Sequence, residues 1–146
     1  MKKLTSIYFT VFLLVMLGLS SCTTGPQKIK VGEDACSFCK MSIADNRFGA
    51  EIITKKGKVY KFDDTHCLTG FHESNTINNE DIKNVYLVDF NAPHDLIPSE
   101  QIFLLKSSQL RSPMGGNVAA FSSEPHFKAA TAKFAGEQLT MEGILK

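Results

Sequence analysis

The sequence has no marked excess of either charge. Its 16 lysines and arginines stand against 15 aspartates and glutamates, and the formal net charge at pH 7 is +1. It also has no stripe of basic residues with interleaved aromatic side chains, which is the pattern typical of nucleic-acid-binding surfaces. We therefore expect no nucleic-acid partner.

The sequence lacks an apolar run of the ~20 residues that a membrane-spanning helix needs. Residues 7–19 (IYFTVFLLVMLGL) form a shorter run that follows two lysines, as in a secretory signal peptide. Residues 19–22 (LSSC) are similar to a bacterial lipobox, which predicts removal of residues 1–21 and a lipid on Cys22. This places the protein in the bacterial cell envelope, anchored to the membrane and facing the periplasm. A plain secretory signal and a retained single-pass anchor are the alternatives.

An even set of cysteines is missing from the mature chain. Of the four cysteines, Cys22 is assigned to the lipid, which leaves Cys36, Cys39 and Cys67. Small exported domains stapled by disulfides normally carry an even number. Three thiols instead favour a metal or redox site, with a Cys36–Cys39 disulfide as an alternative for the metal-free protein.

Soft sulfur donors are concentrated in residues 36–41 (CSFCKM), where Cys36 and Cys39 are followed by Met41. Met114 lies in a Ser-Pro-Met-Gly-Gly turn, where a methionine cannot fill a core as it would on a helix face. Thiolate and thioether ligands together favour Cu(I). These four residues are therefore the candidate ligands of a Cu(I) ion, and His66 could add a nitrogen.

Two other functions use the same cysteines. A structural zinc knuckle would take Cys36 and Cys39 with His66 and Cys67, although no second CxxC is present. A thiol-disulfide oxidoreductase normally places its CxxC directly after a buried strand, and residues 31–35 are too polar for one. Since no acid–base or nucleophile constellation is evident either, we expect a binding protein and not an enzyme.

The remaining pattern predicts an α+β domain of short antiparallel strands packed with helices. Residues 50–62 indicate a β-hairpin, and residues 65–71 a helix that Asp63 or Asp64 caps. Further strands are predicted at 85–90, 101–107 and 118–121, with a loop at 93–98, and a helix is predicted to run from about residue 123 to a C-cap at Gly136. Residues 137–146 give only a weak signal. Two related strand–strand–helix halves would result, in one domain spanning residues 33–146 behind a tether at residues 22–32.

Four features together resemble the NosL family of lipoprotein copper chaperones, which are associated with nitrous oxide reductase maturation. They are residues 19–22 (LSSC), 36–41 (CSFCKM), 58–63 (KVYKFD) leading to Cys67, and 112–121 (SPMGGNVAAF). Their order and spacing cover nearly the whole mature chain. One departure is Lys40, where the family pattern leads us to expect glycine.

The resemblance implies a monomeric α+β domain that binds one Cu(I) on the exported side of the membrane. It further implies transfer of that copper to a recipient protein, either a reductase or an ABC-type maturation complex. Carried onto this chain, the ligands would be Cys39, Met41 and Met114, with Cys36 as a further candidate.

Overall fold

The computed structural model describes residues 25–145. The predicted signal peptide and the lipid-anchor residue Cys22 lie outside these residues. Within them, no helix combines the length and hydrophobicity needed to cross a membrane.

Seven strands and three α-helices follow one another in the described part of the chain. The strands are β1 (Ala50–Thr54), β2 (Val59–Phe62), β3 (Ile82–Val88), β4 (Leu96–Pro98), β5 (Phe103–Lys106), β6 (Val118–Phe121) and β7 (Glu137–Leu139). The helices are α1 (Thr65–Glu73), α2 (Glu124–Lys133) and α3 (Met141–Ile144), and short 3-10 turns precede β3 and β5.

The strands form two antiparallel sheets. The first has the order β2-β1-β3-β4 and the second the order β6-β5-β7. The parallel bridge between Asp89 and Ala120 joins them, together with a 2.8 Å hydrogen bond from the backbone N–H of Phe90 to the carbonyl of Ala120. The predicted α+β class with antiparallel strands is confirmed.

The predicted hairpin and first helix are both present. Gly57 has a φ of +81° in the turn between β1 and β2, a conformation that glycine adopts at little cost. Asp64 caps helix α1, and Leu68 and Phe71 on its inner face are buried. The first helix therefore begins where the capping residue predicts.

Two expectations for other segments need correction, and the C-terminal residues contain elements that were not predicted. Residues 96–98, expected to be a loop, form the edge strand β4, which pairs with β3. The second helix ends with Phe134 as its cap and does not reach Gly136. The C-terminal residues, whose pattern is weak, contain β7 and α3, and Ile144 is buried in the core.

The segment before residues 36–41 also packs against the domain. Ile29 is buried in the main core, and the backbone N–H of Gln27 donates to both carboxylate oxygens of Glu51, at 3.1 and 3.2 Å. Contacts with the folded domain thus begin within residues 22–32, the segment expected to be a tether.

Candidate metal centre

Residues 36–41, the sulfur loop, close into a tight turn. The N–H of Cys36 donates to the carbonyl of Met41 at 2.8 Å, and the N–H of Lys40 donates to the carbonyl of Cys36 at 3.0 Å. An antiparallel bridge between Ala35 and Ser42 brackets the turn. Because the chain reverses here, Cys36 and Cys39 are brought to the same side.

The sulfur loop is fastened to the free edge of strand β2. The N–H of Ser37 donates to the carbonyl of Lys61 at 2.7 Å, and the N–H of Lys61 donates back to the Ser37 hydroxyl at 3.1 Å. Just beyond the loop, the N–H of Ala44 donates to the Asp63 carboxylate at 2.9 Å. These bonds hold the loop beside the start of helix α1.

The first turn of helix α1 supplies the third thiol. One carboxylate oxygen of Asp64, Oδ1, accepts hydrogen bonds from the N–H groups of His66 (2.9 Å) and Cys67 (3.2 Å). This cap fixes the direction of the first turn, from which the fully buried Cys67 packs in the main core beside Cys36.

The sulfurs of Cys36, Cys39 and Cys67 lie within 4.8 Å of one another, and we call them the cysteine cluster. All three thiols are free. Two thiolates bound to one ion at a metal–sulfur distance of ~2.3 Å are at most about 4.6 Å apart. Small side-chain rotations would therefore bring all three sulfurs onto one metal ion.

The pKa values of two thiols in the cluster are shifted in opposite directions. Burial by itself would raise the pKa of Cys36, but backbone hydrogen bonds from Cys39, Asp63 and Phe38 to its sulfur leave that pKa below its ordinary value. Burial, reinforced by the neighbouring Cys36, raises the pKa of Cys67 far above its ordinary value. Cys36 therefore loses its proton at a lower pH than Cys67 does.

Exposure also differs across the cluster. Cys36 and Cys67 are only 1% and 0% exposed, whereas Cys39 is half-buried. Cys39 is therefore the member of the cluster that solvent can reach.

The other predicted ligands occupy three different surroundings. Met41, at 50% exposed, lies at the surface end of the sulfur loop. Met114 is half-buried and packs against the core cluster that contains Cys36 and Cys67. His66 is exposed and borders a cleft of about 300 Å³ together with Gly115 and Gly116. Among residues 25–145, the set of mutually close ligand atoms at this position contains the three cysteines and not His66.

Residues 112–117, the Met114 loop, form a compact turn of their own. The N–H of Gly115 donates to the carbonyl of Ser112 at 3.2 Å, and Ser112 and Asn117 exchange two side-chain hydrogen bonds. Gly115 and Asn117 have φ values of +78° and +54°, which glycine and asparagine tolerate best. The loop is bound to the N-terminus of helix α1 through Asp64 Oδ2.

The structure adds Cys67 to the candidate ligands. The sequence assigned Cys67 only to the zinc and redox alternatives, because 27 residues separate it from Cys39 and no local spacing links them. The sequence did offer one signal: Cys67 falls in the first turn of the helix capped by Asp64, directly after strand β2. The structure shows that the sulfur loop is bound to the edge of that strand.

Comparison with known proteins identifies a family and a similar solved structure. The sequence model of the NosL family matches residues 27–146. A crystal structure described as the copper chaperone NosL from Shewanella denitrificans superimposes with a TM-score of 0.67, covering 82% of this chain and 94% of that one at 22% identity. A comparison with curated sequences finds no match. At this identity the structural likeness establishes the fold, and the family match covers all but the first two of the described residues.

Proposed function

The chain belongs to the NosL family, and we propose that it is a copper chaperone of the bacterial cell envelope. The observation that carries this proposal is the cysteine cluster, three free thiols within 4.8 Å of one another at the edge of the first sheet. Copper is the cargo of this site, held for delivery to another protein.

The donor set favours Cu(I) over zinc. Structural zinc sites are almost always four-coordinate and closed. Within the described residues, the three thiols of the cysteine cluster have no His, Asp, Glu or further Cys beside them as a fourth ligand. Thiolates and thioethers are the soft ligands that select Cu(I). Met41 lies two residues after Cys39 in the sulfur loop, and Met114 packs against the core that contains Cys36 and Cys67. We propose that these two thioethers complete the ligand set.

Delivery requires that a partner reach the bound ion. Cys39 and Met41 lie on the accessible side, and we propose that ligand exchange begins there, with the weak thioethers released first. The large hydrophobic side chains exposed within residues 25–145 are Val31, Phe38 and Met41, at 46%, 38% and 50%. Their position around the sulfur loop suits docking of a recipient, which we expect to be a reductase or an ABC-type maturation complex.

We also propose where the protein is located and that it acts as a monomer. A lipid on Cys22 would hold the monomeric chaperone at the membrane, facing the periplasm, where it meets its recipient at raised local concentration. The protein would act through binding and transfer and not as an enzyme. His66, exposed at the neighbouring cleft, would contribute a nitrogen only during loading or release.

The direct test is an anaerobic titration of the full-length protein in detergent with Cu(I) against a chromogenic competitor. We expect one tightly bound copper per chain, and a loss of affinity of more than tenfold in Cys39→Ser, which removes the accessible thiolate. The matched control is Ser42→Ala, an exposed change just outside the sulfur loop, which should bind as the parent does.

The same preparation separates the zinc alternative. A structural knuckle would arrive loaded with one zinc ion and would unfold on chelation. If copper fails to compete and chelation of bound zinc unfolds the protein, the chaperone proposal is wrong.

The anchor is tested independently of copper. Cys22→Ser should abolish incorporation of labelled fatty acid and release the protein from the membrane fraction, while Cu(I) affinity stays unchanged. Retention of the label in Cys22→Ser would contradict the assigned lipid site.

A further inference from the structure

Asp64 accepts five hydrogen bonds although its side chain is fully buried. Oδ1 accepts the N–H groups of His66 and Cys67, as described above. Oδ2 accepts the Ser112 hydroxyl at 2.6 Å and the N–H groups of Met114 and Gly116 at 3.1 and 3.0 Å. All five partners are donors, and a carboxylate oxygen accepts hydrogen bonds, so the side chain is matched to every group that faces it.

The two oxygens of Asp64 serve two different parts of the metal centre. One caps the helix turn that carries Cys67, and the other binds the loop that carries Met114. These segments are about 50 residues apart in the chain. A single carboxylate therefore fixes the position of the Met114 loop relative to the thiol-bearing turn.

Gly116 shows how closely the Met114 loop approaches the helix. A Cβ atom built at this position would lie 2.5 Å from the Thr65 hydroxyl oxygen, 2.9 Å from the N atom of His66 and 3.2 Å from Asp64 Oδ2. Only glycine fits without moving the loop. By contrast, a Cβ atom at Gly115 would meet nothing within 4 Å.

We propose that Asp64 is a positioning residue for copper binding, because it holds the Met114 thioether in reach of the cysteine cluster. The inference rests on the proposed function and adds the group that assembles the site from two distant segments. Asp64 touches no copper in this account, and it acts through Met114.

The variant Asp64→Asn separates capping from loop binding. Asparagine keeps the size of the side chain and remains a good N-cap, but its NH₂ group cannot accept hydrogen bonds. With its oxygen on the helix, asparagine directs the NH₂ group at the three donors of the Met114 loop. Capping is then retained and the loop is released.

The test is a double-mutant cycle of Asp64→Asn and Met114→Leu, read as Cu(I) affinity of the full-length protein. Each single variant should weaken copper binding by about tenfold, the size of a moderate pairwise coupling. In the Asp64→Asn background, Met114→Leu should cause less than about a twofold further loss, because the thioether has already left the site. Cys39→Ser should still lower Cu(I) affinity by more than tenfold in the Asp64→Asn background.

Asp89→Asn is the matched control. Asp89 is also buried and also joins two segments, accepting the N–H groups of Asn91 at 2.9 Å and Ser122 at 3.3 Å. Its loss should lower the unfolding midpoint without changing copper affinity or the effect of Met114→Leu. Thermal unfolding of every variant reports whether it is folded.

If Asp64→Asn does not fold, Gly116→Ala provides the same test by displacing the loop sterically, with Gly115→Asn as its control in open space. If the fold losses in Cu(I) affinity caused by Asp64→Asn and Met114→Leu multiply in the double variant, the two residues act independently and the positioning role is wrong. Absence of copper binding in the parent protein would instead remove the proposed function itself, so the two failures are distinguishable.

Discussion

Lys40 occupies a backbone conformation that favours glycine. Its φ of +66° lies in the left-handed region, where a side chain costs roughly 1–2 kcal/mol. The exposed side chain turns back over the sulfur loop, and its ammonium donates to the carbonyl of Ser37 at 2.6 Å. This explains why the family resemblance leads to an expected glycine here, and it shows how lysine is accommodated.

Lys40→Gly should therefore stabilise the protein. The gain from relief of strain, about 1 kcal/mol, is partly offset by roughly 0.5 kcal/mol of added freedom in the unfolded chain. We expect a small rise in the urea midpoint and little change in copper affinity. Lys40→Ala is the control, because alanine removes the ammonium and keeps the left-handed strain. An equal rise for alanine would show that strain is not the cause.

Glu51 is a fully buried carboxylate on the inner strand β1. Burial raises its pKa above the ordinary value, although the Gln27 N–H and the nearby Lys61 charge act in the opposite direction. The folded state therefore holds the proton more tightly than the unfolded chain does. The stabilisation from this group is complete below the ordinary pKa of about 4.3 and is lost as pH rises through the folded value.

Glu51→Gln should consequently raise the free energy of unfolding at pH 7 and have a smaller effect at pH 4. Glutamine removes the buried charge and keeps an oxygen that can accept the Gln27 N–H. Urea unfolding at the two pH values measures the difference, with the exposed Glu80→Gln as a control. A variant that is destabilised most at pH 7 would contradict the assigned cost of the buried charge.

At the scale of elements, local chemistry decided which segments were predictable. The hairpin follows from Gly57 between two apolar strands, and helix α1 follows from the Asp64 cap. Strand β4 was missed because three residues that end in Pro98 carry no local strand pattern and pair only through contact with β3. The C-terminal strand β7 is likewise stabilised by a distant partner, strand β5.

The C-terminal helix α3 connects the end of the chain to the helix that bears Cys67. Ile144 is 7% exposed and belongs to the same core cluster as Cys67, and the Thr69 hydroxyl donates to its carbonyl at 2.9 Å. Ile144→Ala should therefore lower the free energy of unfolding by about 2–4 kcal/mol. Urea denaturation measures this loss, and Glu142→Ala on the exposed face should cost under about 0.5 kcal/mol. If Ile144→Ala and Glu142→Ala both changed the free energy of unfolding only slightly, helix α3 would not be packed against the core.

At the scale of the whole molecule, two similar halves are joined at one edge. Each half contains an antiparallel strand pair followed by a helix: β1 and β2 precede α1, and β5 and β6 precede α2. The order agrees with the strand–strand–helix repeat expected from the sequence. The halves differ in chemistry, since the first contributes Cys67 and the second contributes the Met114 loop.

The candidate site was only partly predictable for the same reason. The spacing of Cys36, Cys39 and Met41 is local, so the sequence alone indicates a soft-metal loop. The approach of Cys67 depends on hydrogen bonds between the sulfur loop and strand β2, and that of the Met114 loop depends on Asp64. Such contacts between segments far apart in the chain leave no periodic pattern from which they could be inferred.

The proposed site holds copper as Cu(I) through sulfur ligands of this chain. X-ray absorption at the copper edge, measured on the loaded full-length protein, reports both the oxidation state and the ligand atoms. We expect the edge of Cu(I) and a first shell of sulfur, with fewer sulfur neighbours in Met114→Leu and loss of the sulfur shell in Cys39→Ser. A Cu(II) edge, or a first shell dominated by nitrogen and oxygen, would show that the proposed site is wrong.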